Sequence, residues 1–175
     1  DYRVFVLAPA SVQEMAELPA KAYALAEKYR MPSMVLADGV LGQMLEPVDF
    51  NFGTVDAAKL PQPDWALGVN KGRERRTVCS YDLDEGKLET MTLDRAKRYK
   101  DAQDKEVLFD TRMIDDAEVV LVAYGTAARA CMSAVKIARE KGIKAGLLRP
   151  ITLWPFPTKE IAKLAEKAKC FLSVE

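Results

Sequence analysis

From Val119 to Glu175 the apolar positions change period several times, and each change marks an element. Val119-Val120-Leu121-Val122-Ala123-Tyr124 is apolar throughout, as expected of a strand in a parallel sheet covered by helices on both faces. The run stops at Gly125-Thr126. Beyond it Ala127, Cys131, Ala134, Val135 and Ala138 fall on one helical face, while Arg129, Ser133, Lys136 and Glu140 point away. Gly142 suits the left-handed position just past that helix, with Arg139 and Lys141 complementing its C-terminal dipole. A short apolar segment, Ala145 to Leu148, leads into Arg149-Pro150-Ile151-Thr152-Leu153-Trp154-Pro155-Phe156-Pro157, which reads as a rigid turn. A second helix follows, capped by Thr158 and striped by Ile161, Leu164, Ala165 and Ala168. The last apolar run is Cys170 to Val174, so the pattern is β-α-β-α-β.

The opening residues repeat the theme. Arg3-Val4-Phe5-Val6-Leu7-Ala8 reads as a strand, and Ser11 with Glu14 three residues on forms a capping box for the next helix. Val12, Met15, Ala16, Ala22, Tyr23, Ala26 and Tyr29 share a face. Pro19 falls inside the pattern and removes a hydrogen bond to the Met15 carbonyl, which predicts a kink or two shorter helices. Arg30-Met31-Pro32 ends the helix, and Ser33-Met34-Val35-Leu36-Ala37 is the next buried strand.

Between these two patterned regions the periodicity fails. Pro47, Pro61, Pro63, Gly53, Gly68 and Gly72 interrupt the chain, and Phe50, Phe52 and Trp65 stand as isolated apolar positions, Trp65 expected to dock on a neighbouring surface. A connection this long marks a boundary between domains. Arg73, Arg75 and Arg76 fit a solvated turn better than a phosphate site. From about Leu88 to Val107 a narrow stripe of Leu88, Met91 or Thr92, Ala96 and Tyr99 among charged residues predicts a helix lying across a surface. The fold class is therefore α/β: two parallel-sheet βαβ units, residues 1–48 and 113–175, joined by a long irregular linker with a charged helix, residues 49–112.

Composition narrows the chemistry. The chain has 175 residues, and its 26 basic residues balance 26 acidic ones, which argues against nucleic acid or an anionic membrane as the main partner. No apolar run is long enough to span a bilayer and no signal peptide opens the chain, so a cytoplasmic protein is expected. There is no histidine, which removes Ser-His-Asp, Cys-His and imidazole-based catalysis together. Cys79, Cys131 and Cys170 are unpaired in spacing and read as free, mostly buried thiols; without a C-x-x-C pair they offer neither a metal site nor iron–sulfur ligation.

Two stretches carry candidate chemistry. Asp38-Gly39-Val40-Leu41-Gly42-Gln43-Met44-Leu45-Glu46-Pro47 follows a buried strand, and ligands gather beyond the carboxyl ends of such strands. Asp38 suits a metal ligand or an acid, and Glu46 a partner for a cationic or hydrogen-bonding cofactor group. The same residues also fit an ordinary Asp-Gly turn and loop exit. Gly125-Thr126, between strand and helix, suits an anion at a helix N-terminus. A lone glycine without G-x-G-x-x-G or G-x-x-x-x-G-K-[ST] favours plain helix-to-strand packing over a dinucleotide or P-loop site.

Longer strings point further. Leu7-Ala8-Pro9-Ala10-Ser11-Val12-Gln13-Glu14-Met15, Ala26-Glu27-Lys28-Tyr29-Arg30-Met31-Pro32 and Asp38 to Pro47 resemble the alpha subunit of the 2-oxoacid:ferredoxin oxidoreductases, nearest the 2-oxoisovalerate (branched-chain) type. Ala117-Glu118-Val119 through Ala127-Ala128-Arg129, and Gly146-Leu147-Leu148-Arg149 through Phe156-Pro157, look like that subunit's transketolase C-terminal-type domain. The resemblance implies an enzyme that uses thiamine diphosphate to decarboxylate a 2-oxoacid, passes electrons through iron–sulfur clusters to ferredoxin, and forms an acyl-CoA from coenzyme A. It implies that residues 1–48 end a pyrimidine-binding domain and that residues 113–175 form a truncated transketolase C-terminal-like domain. The diphosphate and Mg²⁺ would be held mainly by a beta subunit, and the clusters by other chains of a complex with gamma and ferredoxin-like subunits. The glutamate that activates the aminopyrimidine belongs to an upstream part of the family's fold, and Glu46 lies in the wrong segment to replace it. The resemblance therefore assigns no catalytic residue and no metal ligand here, and a fragment of this kind is expected to be silent alone. Asp38, Gly39, Gln43 and Glu46 become cofactor-adjacent or interface positions, with Gly125 and Thr126 at a scaffold turn. The competing reading is a non-catalytic assembly module on the same folds.

Overall fold

The computed structural model describes residues 3–51, 53, 56–60, 65, 66, 72 and 77–175. Phe52, Pro61, Pro63, Gly68, Arg73, Arg75 and Arg76, named above, lie outside the described residues. The chain divides into one unit of residues 1–50 with 97–175 and a second of residues 51–96.

The first unit is α/β and contains two sheets. In the first, β1 (Phe5–Leu7) runs parallel to β2 (Ser33–Val35), with Phe5 opposite Ser33 and Leu7 opposite Val35. The βα connection between them is α1 (Val12–Tyr29). Its buried stripe is Leu18, Ala22, Leu25 and Tyr29, a steeper line than the expected face, and Tyr23 is exposed. Pro19 does not divide α1, which is a single 18-residue helix. The proline lies on the exposed side, where water can take over the carbonyl it leaves without a donor. Ser11 caps the helix as expected, accepting from the Glu14 amide at 3.1 Å. Phe5, Tyr29 and Trp154 form an aromatic cluster at the centre of this core, with ring centroids 5.3 and 5.2 Å from Phe5, and Ala102 is buried beside it.

The second sheet has the order β3-β5-β4-β7. Its parallel centre is β4 (Val119–Val122), flanked by β5 (Ala145–Pro150) and β7 (Cys170–Ser173). Two antiparallel strands were not expected. β3 (Phe109–Arg112) pairs with β5 where the linker was placed. β6 (Thr152–Trp154) pairs with β1 inside the segment read as a rigid turn. The chain thus leaves one sheet at Pro150 and enters the other at Thr152. Leu108 sits at that crossing: its carbonyl accepts from the amides of Ile151 (2.9 Å) and Thr152 (3.0 Å), and its amide donates to Thr152 Oγ1 at 2.9 Å.

Helix α4 (Gly125–Glu140) buries Ala128, Cys131 and Val135; Ala134, assigned to the inner face, is exposed. Gly142 takes φ +80°, and the amides of Gly142 and Ile143 donate to the Arg139 and Ala138 carbonyls at 2.9 and 3.0 Å, the paired bonds of a Schellman end. Gly146, within β5, is needed for space: a Cβ there would meet the Met113 carbonyl oxygen at 2.7 Å and the Ala117 Cβ at 2.8 Å. In α5 (Thr158–Ala165) the N-cap is Pro157, so Thr158 begins the helix instead of capping it. Ile161, Leu164 and Ala168 pack against Val120 and Leu148. Of the three cysteines only Cys131 is buried, while Cys79 and Cys170 are exposed, contrary to expectation.

The second unit contains a 3₁₀ turn, Ala57–Lys59, and the start of α3 (Lys87–Lys105), where Lys87 pairs with Asp82 at 2.7 Å. Trp65 is half-buried. α2 is the short helix Gly39–Gln43 of the first unit. Among the described residues no helix is long and apolar enough to cross a membrane.

Candidate functional site

Three strands of the first unit, β2, β4 and β7, point their carboxyl ends at one cleft of about 300 Å³, where open parallel sheets place ligands. Leu36, Ala37, Tyr124, Ala127 and Val174 supply its apolar wall, and Asp38, Thr126 and Glu175 its polar groups.

Asp38 organises the cleft from two directions. As the N-cap of α2, its Oδ1 accepts from the Leu41 amide at 2.8 Å. Its Oδ2 accepts from the Thr126 hydroxyl at 2.7 Å and the Thr126 amide at 3.3 Å. These donors, the Leu41 amide first and the Thr126 hydroxyl next, hold the Asp38 carboxyl below the usual carboxylate range. It is a hydrogen-bonded anion, poorly suited to donate a proton. Gly125 lies beside this contact, and its backbone angle is what requires a glycine. It starts α4 at φ +58°, and a Cβ there would stand 3.4 Å from Asp38 Oδ2 and 3.9 Å from the Pro9 carbonyl, a backbone conformation that suits glycine. The anion position at the start of α4 is thus taken by the protein's own carboxylate.

A second layer of ion pairs surrounds the loop after β1. Glu46 Oε1 accepts from Arg129 Nη2 at 2.6 Å, and its Oε2 accepts from the Val12 amide at 3.0 Å. Arg129 Nη1 also donates to the Ala10 carbonyl at 3.0 Å. The Arg129 contact and then the Val12 amide hold Glu46 below its ordinary range. On the other side Glu14 takes both guanidinium nitrogens of Arg149, at 2.7 and 2.8 Å, and accepts from the Ala10 amide at 2.8 Å. Burial pushes the Glu14 carboxyl up, but Arg149 and the Ala10 amide outweigh it and the net shift is downward.

Of the six positions singled out from the sequence, Asp38, Gly125 and Thr126 meet at the cleft, and Glu46 lies next to it in the ion-pair layer. Gly39 and Gln43 are exposed on α2; a Cβ at Gly39 would meet nothing. Arg129, assigned to the outer face of α4, turns inward to Glu46. Glu14, Arg129 and Arg149 were missed as partners, although the signals were present. Arg149 interrupts a fully apolar strand, and a buried charge there demands a counter-ion. Arg129 places a cation near the positive end of a helix, which runs against the macrodipole unless a carboxylate answers it.

The cleft does not fit a diphosphate, because its charged side chains are the carboxylates of Asp38 and Glu175, and Asp38 already accepts from the Thr126 amide at the start of α4. Among the described residues no three His, Cys, Asp or Glu side chains gather as a metal site.

Comparison with known proteins places the two halves separately. Residues 1–66 match the family model described as pyruvate flavodoxin/ferredoxin oxidoreductase, thiamine diphosphate-binding. Residues 117–175 match that of pyruvate:ferredoxin oxidoreductase core domain II. Over all 175 residues the chain is 46% identical to the ketoisovalerate oxidoreductase subunit VorB of Methanothermobacter marburgensis. It is 30% identical to the 2-oxoglutarate synthase subunit KorA of the same organism over an alignment of 203 positions. The chain spans about half the length of these relatives, 49% and 53%. In fold it is similar to a 2-oxoglutarate:ferredoxin oxidoreductase of Magnetococcus marinus, with TM-score 0.75 at 19% identity, covering 97% of this chain and 34% of that one.

Proposed function

Because the chain is a relative of the 2-oxoacid oxidoreductase subunits along its whole length, we propose that it is part of the alpha subunit of a thiamine diphosphate-dependent 2-oxoacid:ferredoxin oxidoreductase. The substrate is a branched 2-oxoacid of the 2-oxoisovalerate kind, the products are its acyl-CoA and reduced ferredoxin, and the enzyme works in the cytoplasm. One observation carries the reading. The segment matched by the thiamine diphosphate-binding model and the segment matched by core domain II meet in one cleft, through the Asp38–Thr126 contact.

In this reading residues 1–48 close a pyrimidine-binding domain and residues 113–175 form a transketolase C-terminal-like domain, with residues 49–112 between them. The diphosphate, its Mg²⁺ and the iron–sulfur clusters belong to beta, gamma and ferredoxin-like partner chains. The acidic lining of the cleft supports that division, since it repels a diphosphate and tolerates a neutral or cationic group. The cofactor supplies the carbanion chemistry. Asp38, held as an anion by Leu41 and Thr126, shapes the wall beside it, with Gly39, Gln43 and Glu46 on the segment that faces cofactor or partner.

The test is reconstitution of the full-length subunit with its partner chains, followed by 2-oxoacid-dependent ferredoxin reduction in the presence of thiamine diphosphate, Mg²⁺ and coenzyme A. Activity strongest with branched 2-oxoacids is the expected result. An assembled complex that reduces no ferredoxin with any 2-oxoacid would leave the chain as an assembly module.

A further inference from the structure

Ala10 is a loop residue whose two backbone polar groups are both held by ion-paired side chains from elsewhere in the fold. Its amide donates to Glu14, which is paired with Arg149 of β5. Its carbonyl accepts from Arg129 of α4, which is paired with Glu46 of the segment after α2. The residue is nearly buried, at 6% exposure, and it lies between β1 and α1, so no strand or helix ladder serves its amide and carbonyl. Next to it, the Pro9 carbonyl lies against Gly125 in the cleft wall.

The Arg129–Glu46 half is more than a local staple. Arg129 joins the Pro9–Ser11 loop to the Asp38–Pro47 segment through two different nitrogens, and Glu46 returns to the same loop through the Val12 amide. The result is a closed ring across three segments: the loops following β1 and β2, and the first turns of the helix following β4. All three lie beside the cleft, and Asp38 is eight residues upstream of Glu46 on the clamped segment. Both members keep partial solvent access, 34% and 25% of the side chain, so a large share of global stability is not expected from the pair. A ring that adds little stability yet holds two loops at the mouth of a cleft is suited to positioning.

We propose that Arg129 and Glu46 are positioning residues of the cleft, fixing the Pro9–Ser11 loop against the Asp38–Pro47 segment so that Asp38 and Thr126 keep their alignment. The proposal rests on the functional reading above for its catalytic consequence and on geometry alone for the clamp.

The experiment uses the full-length subunit in its assembled complex, with Arg129→Gln, Arg129→Lys and Glu46→Gln. The control is Arg139→Gln, an arginine near the other end of α4 that bonds Asp116 and the Met113 and Ala145 carbonyls. In hydrogen exchange, Arg129→Gln and Glu46→Gln are expected to speed segments 9–13 and 38–47 by about tenfold while β1 and β4 stay protected. Arg129→Lys keeps the charge but offers a single donor group, and recovers part of that protection. In the assay the Gln variants are expected to lose about tenfold or more in kcat/KM, because displaced loops misalign bound groups. The Arg139→Gln control lowers thermal stability without either change. Unchanged exchange in segments 9–13 and 38–47 overturns the clamp. Faster exchange with wild-type kcat and KM overturns its positioning role. A wild-type complex silent towards every 2-oxoacid sinks the functional reading instead, and the exchange result then decides the clamp by itself.

Discussion

Replacing Glu14 by Gln should destabilise the protein more than any exposed carboxylate substitution. The reason is the state in which it leaves Arg149. That guanidinium is 91% covered, with side-chain exposure of 9% against 24% for Glu14, and both of its terminal nitrogens end on the one carboxylate. A glutamine keeps an acceptor for the Ala10 amide and for one Arg149 nitrogen, but the counter-charge is gone. Removing one partner of a fully buried pair costs about 3–5 kcal/mol, and the quarter of Glu14 still in water reduces this to about 2–3 kcal/mol. For a chain of this size that is a drop of roughly 4–12 °C in Tm.

The effect also has a pH signature. Glu14's carboxyl is held below its ordinary value of 4.5: burial raises it, and Arg149 with the Ala10 amide lowers it by more. The unfolded state therefore takes up the proton first on acidification. The stabilisation is fully present above the ordinary value and is lost as pH falls through the folded one. Thermal unfolding by far-UV circular dichroism, run from pH 7 to pH 3 on wild type, Glu14→Gln, Arg149→Met and the double variant, measures both. The gap between wild type and Glu14→Gln should narrow as the pH falls below the ordinary carboxylate value. A coupling energy under about 0.5 kcal/mol in the double-mutant cycle would refute the reasoning, since directly bonded groups should couple by more.

Gly146→Ala should cost about 1–3 kcal/mol, because its Cβ would stand 2.7 Å from the backbone oxygen of Met113, in the bend that follows β3, and 2.8 Å from the Ala117 Cβ; urea unfolding with an unchanged midpoint would contradict this. Asp38→Ala removes the cap of α2 and the Thr126 contact together, and about 1 kcal/mol of stability should go with the cap. Hydrogen exchange at the Leu41 and Thr126 amides should rise even if the midpoint hardly moves. With a thiol-specific reagent, the exposed Cys79 and Cys170 should label quickly in the native protein. Cys131 should wait for unfolding, because burial covers it and pushes its thiol up; three equally fast thiols would show that α4 is not packed as described.

Much of the architecture could be read from local pattern. The continuously apolar runs became the parallel strands β1, β2, β4, β5 and β7. The narrow stripe before Val107 became α3, and Gly142 ended α4 in the left-handed conformation it suggested. Apolar runs gave strands even where burial is incomplete, β7 being exposed throughout and β2 exposed at Met34, while burial on one stripe of a helix leaves a periodic trace in the chain itself, and a glycine at a helix end records its own backbone angle.

What the tertiary structure decided was partnership over distance. β6 was hidden because Thr152-Leu153-Trp154 lies between prolines, and only its hydrogen bonds to β1 make it a strand. β3 is short and polar at Asp110, Thr111 and Arg112, and it takes its place from β5. Asp38 and Thr126 are 88 residues apart, and Glu14 and Arg149 are 135 apart. Composition shows that each of these groups needs a partner, but not which one, because a charge or a polar side chain leaves no periodic trace of where its counterpart will be. The sequence by itself therefore determined the helices, the parallel strands and the candidate loop at Asp38, but not the antiparallel strands β3 and β6. Only the tertiary contact of α2 with α4, through Asp38 and Thr126, could bring that loop to the start of α4 and make one cleft of two separate motifs.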